Sequence, residues 1–336
     1  MKQASLGAGF ELKVKTTRKR EFLRQMQQVV PGRRLEALIA PHMPSPGPKG
    51  GRPPYPVSVL LRIHFLQQWF ALSDPAAEEA LYDVPAFAEF VGLDLGVDTV
   101  PDETTILRFR HLLEEKNLSE RMLGLVNGIL TERGLMVRSG TVVDATLMAA
   151  PSSTKNQTRS RDPEMASGDE SEPRTTKKGN QWSFGCKAHV GTDAASGLAH
   201  SVVVTPANVA DVTQAHALLH GKEQDVFADA GYQGVDKREE VQARHPKVNW
   251  HVAMRPGKRR QLDPTRPLGA VLDELESVKA RIRARGEHIF GVLKCVFRYT
   301  KVRYKGLKKN AAQITTLLML ANLWLARRRL MQPCVG

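Results

Sequence analysis

The sequence predicts a mixed α/β fold behind an all-α N-terminal region, and three observations carry that prediction. Before residue 140 the apolar residues recur at helical spacing. From 140 three β-branched runs follow one another: GTVVDATLMAAP, FGCKAHVGTD and LAHSVVVTP. Helical and extended patterns then alternate, as expected of a sheet flanked by helices.

Taken in order, residues 13–34 carry eight basic side chains and one acid, Glu21, and form a basic arm or helix. Residues 41–56, rich in Pro and Gly, form a linker or extended loop. The apolar stretch 57–72 and its counterpart 311–326 are shorter than the roughly 20 residues a bilayer requires and contain polar side chains, so both are expected as buried helices. SDPAAEEALYD starts a helix with Asp74 as N-cap and Pro75 in first position, and 101–134 supplies two more helices. The organisation that follows is a helical region 1–135, a sheet domain 136–310 and a C-terminal helix with a basic tail, 311–336. Within the sheet domain, 151–181 is almost free of apolar residues and is expected to be a mobile loop. Residues 194–197 turn a hairpin. A helix is expected over NVADVTQAHALLHG, a strand at DVFADAG, a helix at VDKREEVQARH, a strand at VNWHVAM and a long helix over 269–297.

The chain has 336 residues, 41% hydrophobic and 25% charged, with a formal charge of +14 and pI near 9.8. That excess of cations favours a polyanionic partner, nucleic acid before others. The three cysteines are far apart and form no CxxC pair, which argues against a zinc site and a disulfide framework. The start of the sequence lacks the apolar run of a signal peptide, and the expected compartment is the cytoplasm.

Two carboxylates need an explanation. Asp144 sits in mid-strand in TVVDATL, where an unpaired charge costs several kcal/mol if dry. Asp229 closes the strand VFAD just before the turn AGYQG. Either alone is more simply a cap or turn former; together they want a cation. A third acid, Glu287, shares a helical face with Arg283, Gly291, Lys294 and Arg298, while Ile282, Ile289, Val292, Leu293 and Val296 fall opposite. Such a face is often just solvated. Three acids from two strands and a helix nevertheless suit two Mg²⁺ ions, with Mn²⁺ able to substitute, acting on a phosphodiester. No GxxxxGK[ST] loop occurs. From Lys294 to Lys309 seven basic residues and no acid are interleaved with Phe297, Tyr299 and Tyr304, a composition suited to phosphate contacts and base stacking.

The blocks GTVVDATLMAAPSSTKNQTRSRDPEM, TKKGNQWSFGCKAHVGTD, VFADAGYQGVDKREE, NWHVAMRPGKRR and RYTKVRYKGLKKNAAQ resemble those of DDE transposases of bacterial insertion sequences, specifically the insertion-sequence-5 family. The resemblance covers nearly the whole chain. Asp229, Gly231 and Tyr232 match the family's second-acid block, and Arg283, Glu287 and Lys294 match its third. Ala280 stands where that block has tyrosine. Gly286 and Ile289 flank the glutamate, and a glycine inside a helix costs up to about 1 kcal/mol.

The resemblance implies an RNase H-like catalytic domain behind an N-terminal DNA-binding domain. It implies Asp144, Asp229 and Glu287 as catalytic and metal ligands, cleavage at transposon ends, and attack of the freed 3′-hydroxyl on target DNA. Expected DNA contacts are Arg283, Lys294, Arg298, Lys301, Arg303 and Tyr232, with Lys13, Lys15, Arg18, Lys19 and Arg20 of the arm. The expected partners are the terminal inverted repeats and target DNA, bound by a homodimer at the nucleoid, with no membrane. A metal-dependent nuclease without strand transfer and a repressor descended from a transposase are the rival readings. His189, His200 and His288 are set aside as ordinary core or surface histidines.

Overall fold

The computed structural model describes residues 16–44, 54–151, 160–165, 176–178 and 181–332. Its N-terminal third holds α1 (Arg18–Val29), α2 (Gly32–Ile39), α3 (Val57–Phe70), α4 (Asp74–Asp83), α5 (Pro85–Val91), α6 (Glu103–Glu115) and α7 (Leu118–Glu132). Side-chain caps start α1, α4 and α6: Thr17, Ser73 and Asp102 each accept a backbone N–H of the first turn. Ser73, rather than Asp74, therefore caps α4. The freed Asp74 carboxylate takes the buried Arg110 guanidinium at 2.9 Å, and Glu114 takes its other side at 2.9 Å.

Strand β1 (Gly140–Ala149) opens the sheet. β2 (Thr176–Lys178) and β3 (Gln181–Ser183) form a separate two-stranded ribbon, and β4 (Gly185–Asp193) and β5 (Ala199–Pro206) the expected hairpin. The helix expected over NVADVTQAHALLHG shrinks to α8 (Asp211–Gln214) and a 3-10 turn. Then come β6 (Asp225–Ala228), α9 (Glu239–Arg244), β7 (Asn249–Val252), α10 (Pro256–Arg259), α11 (Pro267–Gly291) and α12 (Leu307–Leu330). The sheet order is β5-β4-β1-β6-β7. β5, β4 and β1 run antiparallel; β1, β6 and β7 run parallel.

Two further sequence expectations need correction. Within 151–181, residues 160–165 are anchored. Met165 is fully buried, while Asp162 and Glu164 accept the Gly306 and Leu307 N–H groups, both at 2.7 Å, where α12 begins. The long helix does not continue as α-helix to 297, because Val292–Val296 forms a π-helical turn. Beyond 311 the chain forms the expected buried helix. α12 packs on α1, α7 and β5, and its Ile314, Leu317, Leu318, Leu320 and Leu323 join one apolar core with α1 to α7. At the junction Asn322 exchanges hydrogen bonds with the Ala199 backbone and donates to Asn127 Oδ1 at 2.9 Å, tying α12 to β5 and α7. No helix of the described residues is long and apolar enough to cross a membrane.

Candidate active site

Adjacent parallel strands bring the first two acids together. The β1–β6 register runs from Gly140↔Asp225 to Val143↔Ala228, so Asp144 and Asp229 follow as the next residues on neighbouring strands. Asp225, at the other end of β6, sits by His251 at 2.8 Å. At Asp229 the chain leaves the sheet, and the carboxylate shapes its own exit: Oδ1 accepts the Gly231 N–H at 2.9 Å. A Cβ on Gly231 would lie 3.0 Å from that oxygen, so glycine keeps the turn tight. The turn-forming role therefore coexists with a second oxygen free to do chemistry. Asp144 Oδ1 in turn accepts the Ala145 N–H at 2.7 Å.

Where β6 ends, β1 continues. β4 still covers one edge of β1 as far as Ala149. Among the described residues, the opposite edge has no ladder partner from Asp144 until Ala149, where Lys301 forms a parallel bridge and Val302 N–H donates to the Ala149 carbonyl at 2.9 Å. The acids thus sit at an interruption in the sheet, bounded on one side by the end of β6 and on the other by the basic tract.

The third acid arrives on α11. A Cβ on Gly286 would meet Thr192 Oγ1 at 2.8 Å and Val142 Cγ1 at 2.9 Å, so the helix lies directly on β1 and β4, closer than any side chain would permit. The helical penalty of this glycine is the condition of that approach. Val142 and Asp144 share one face of β1, the face α11 crosses. Arg283, half-buried, and Glu287, exposed, follow from the same helix.

Electrostatics tie the group together. The Asp144 carboxyl is pushed up to about 6, first by burial, and further by the Asp229 and Glu287 carboxylates; the Ala145 N–H and Arg283 pull the other way. Three acids and one cation form a site with surplus negative charge, and oxygen donors alone suit a hard divalent cation.

Other expected contacts fare differently. Tyr232 is fully buried in the smaller core beneath the sheet, so it cannot offer its ring to DNA; burial, Asp211, Asp144 and Asp229 all push its hydroxyl up. Phe297 and Tyr299 are also buried, and Tyr304 lies under the Arg110 guanidinium at 4.1 Å, so the tract's aromatics serve packing and not base stacking. The π-turn spoils helical extrapolation beyond Gly291: Val296, expected in the core, is 39% exposed, and Arg298 lies past the helix at φ +56°. Arg298, Lys301 and Arg303 are exposed and Lys294 half-buried. In α1, Arg18 is exposed, Lys19 lies over the Phe70 and Phe87 rings, and Arg20 pairs with Glu89 at 2.7 Å. Lys13, Lys15 and most of the 41–56 linker fall outside the described residues.

Two polar clusters are not assembled by sequence reasoning, which sets His189 and His200 aside one by one. On β4, Lys187 binds Asp211 at 3.0 Å and the fully buried His189 contacts Thr205 Oγ1 at 2.8 Å; burial lowers His189 to about 4 and keeps it neutral. At the opposite end of β1 and β6 from the acids, His200, His220 and Glu223 form a cluster whose possible ligand atoms lie within 4.8 Å of one another. Only the strand alternation of HSVVV and a loop histidine hinted at it.

A mixed sheet with acids on two adjacent strands, a third on a helix pressed against them and a cationic edge alongside is an α/β arrangement suited to a divalent cation beside a polyanion. The family comparison is specific: the model described as Transposase DDE domain matches residues 136–323, and the chain belongs to that family. A second model, Transposase domain (DUF772), matches residues 10–112. No solved structure matches the chain. Membership makes this a transposase acting on DNA, in a family that is typically metal-dependent.

Proposed function

We propose that the chain is a transposase of the insertion-sequence-5 group, which cuts DNA at the ends of its element and joins the 3′-hydroxyl to target DNA. The observation that carries this reading is the β1–β6 register, which makes Asp144 and Asp229 the next residues on adjacent strands, with Glu287 of α11 near enough to help raise the Asp144 carboxyl. Asp144, Asp229 and Glu287 would hold two Mg²⁺ ions. When bound, such ions activate the attacking oxygen and stabilise the leaving one in an in-line displacement.

The chain's own residues do the rest. The Asp229 turn and the Gly286 contact fix the carboxylates before substrate arrives. Arg283 balances part of their charge and meets a phosphate oxygen. Exposed Arg298, Lys301 and Arg303, with Lys294 on the helix side, hold the DNA backbone along the open edge of β1. In this reading 136–310 is an RNase H-like catalytic domain. Residues 1–135 grip the terminal repeats, with Arg18 the most available cation of α1, and two copies act together at the nucleoid in the cytoplasm.

The test is mobilisation of a marked element in cells, with Asp144→Asn, Asp229→Asn and Glu287→Gln beside wild type. Each substitution should lower transposition about 1000-fold or more while terminal-repeat binding persists. Full activity in any one variant removes that residue from the site. Labelled ends that are cut but never joined to a target plasmid would replace transposase by nuclease.

A further inference from the structure

The first half of α11 bears a feature that neither the active site nor the fold employs. Leu268, Val271, Leu275 and Val278 are 71%, 62%, 46% and 36% exposed, four large apolar side chains on one helix. Their spacing of three, four and three residues is a heptad seam, extended by the half-buried Ile282. At about 100° per residue all five fall within an arc of about 80°. Isolated apolar residues on a surface need no explanation; a continuous stripe does.

The flanks of the stripe name the occupant. One flank carries Glu274 and Arg281, both exposed. The other carries Leu272, half-buried, and Lys279, whose ammonium is engaged by Glu276 at 2.7 Å and the Val252 carbonyl and is only 14% exposed. In a parallel helix pair, Glu274 would face the partner's Lys279, which is occupied. In an antiparallel pair each flank meets its own copy. Pairing Val271 with Ile282 and Leu275 with Val278 then sets Glu274 opposite Arg281 on both sides of a two-fold axis. Such a contact is self-complementary and closes at two chains.

We propose that this seam is a self-association surface, on which a second copy of the chain docks its own α11 antiparallel. Glu287 lies about 140° around the helix from the centre of the stripe, so docking leaves the carboxylate face open. The seam would supply the surface for the two-copy arrangement in the functional reading, yet it is measured without DNA or metal, so the two can fail separately.

The test is sedimentation equilibrium of the full chain at about 50 µM, without DNA, at about 0.15 M salt. Wild type should be a dimer and Leu275→Glu a monomer with unchanged helical circular dichroism. Glu274→Arg and Arg281→Glu alone should each weaken the dimer about tenfold, and the two together should restore it. A monomeric wild type, a dimeric Leu275→Glu, or a double exchange no tighter than the single ones would each overturn the proposal.

Discussion

The two ends of the β1–β6 strand pair each hold an acid withdrawn from water, Glu223 buried and Asp144 half-buried, and they handle it in opposite ways. At the entry, the Glu223 side chain has no exposed surface; burial works to raise its carboxyl, yet hydrogen bonds from backbone N–H groups, including His220 and Gly221 at 2.7 Å, leave it below its ordinary value. Thr141 Oγ1 adds a further donor at 3.2 Å and lies 3.0 Å from His200 Nε2. At the exit, Asp144 has one backbone donor, and its other charged neighbours are chiefly acids. Burial alone therefore does not mark a functional carboxylate. What separates the two is whether the surroundings already supply the positive partners.

The contrast breaks most visibly at the entry. Glu223→Ala removes the acceptor of the His220 and Gly221 N–H groups and one partner of the Thr141 hydroxyl, and should cost about 2 kcal/mol in urea unfolding. An effect below about 1 kcal/mol would mean that water replaces the carboxylate and that the cluster is not what holds the strand entry. At the exit the sign reverses. Asp144→Asn should stabilise the metal-free protein at pH 7 by about 1 to 3 kcal/mol, because the folded state no longer has to carry an ionised, poorly partnered acid.

The pH dependence sharpens the same comparison. Asp144 has a folded value raised from 3.8 to about 6, so its relative stability is complete below about pH 4 and is lost as the pH rises through 6. Glu223 is depressed below 4.5, so its contribution is present above that value and is lost as the pH falls further. The difference between Asp144→Asn and wild type should therefore vanish near pH 4 and open by pH 7. Added Mg²⁺ should raise the melting temperature of wild type and leave the variant nearly unmoved. The smallest effect expected is that of Gly286→Ala, about 1 to 2 kcal/mol of overpacking against Val142 and Thr192. Its diagnostic sign is a loss of that Mg²⁺ response, as α11 lifts Glu287 away from the strands.

The acids were legible because a carboxylate amid β-branched residues contradicts its surroundings, and the contradiction shows in any sequence window. The sheet was legible for the same local reason: β4 and β5 alternate around a turn, and β6 is a short apolar run. Gly286 was visible only as a penalty, since its benefit lies in contacts with Val142 and Thr192, distant in sequence. The π-turn at 292–296 leaves no mark in residue periodicity, which assigns Val296 to the core, and Arg298, exposed as expected, lies past the helix on which periodicity places it. Tyr232 and Tyr299 resembled DNA-facing aromatics because a motif or a basic stretch surrounds them, whereas their burial is decided by the opposite side of the fold. His220 and Glu223 share one loop, but His200 and Thr141 come from two other segments, and no single stretch announces their meeting.

The apolar core shared by α1 to α7 and α12 has a consequence for how the protein is made. At roughly 5 to 20 residues per second, the ribosome needs on the order of 10 to 35 s to synthesise the segment between α7 and α12. Throughout that interval the first seven helices wait with an unfilled groove, a client for chaperones and a target for proteases. A message cut short before α12 would leave those helices without the side chains that complete their core, so the topology ties the fate of the first segment made to the arrival of the last.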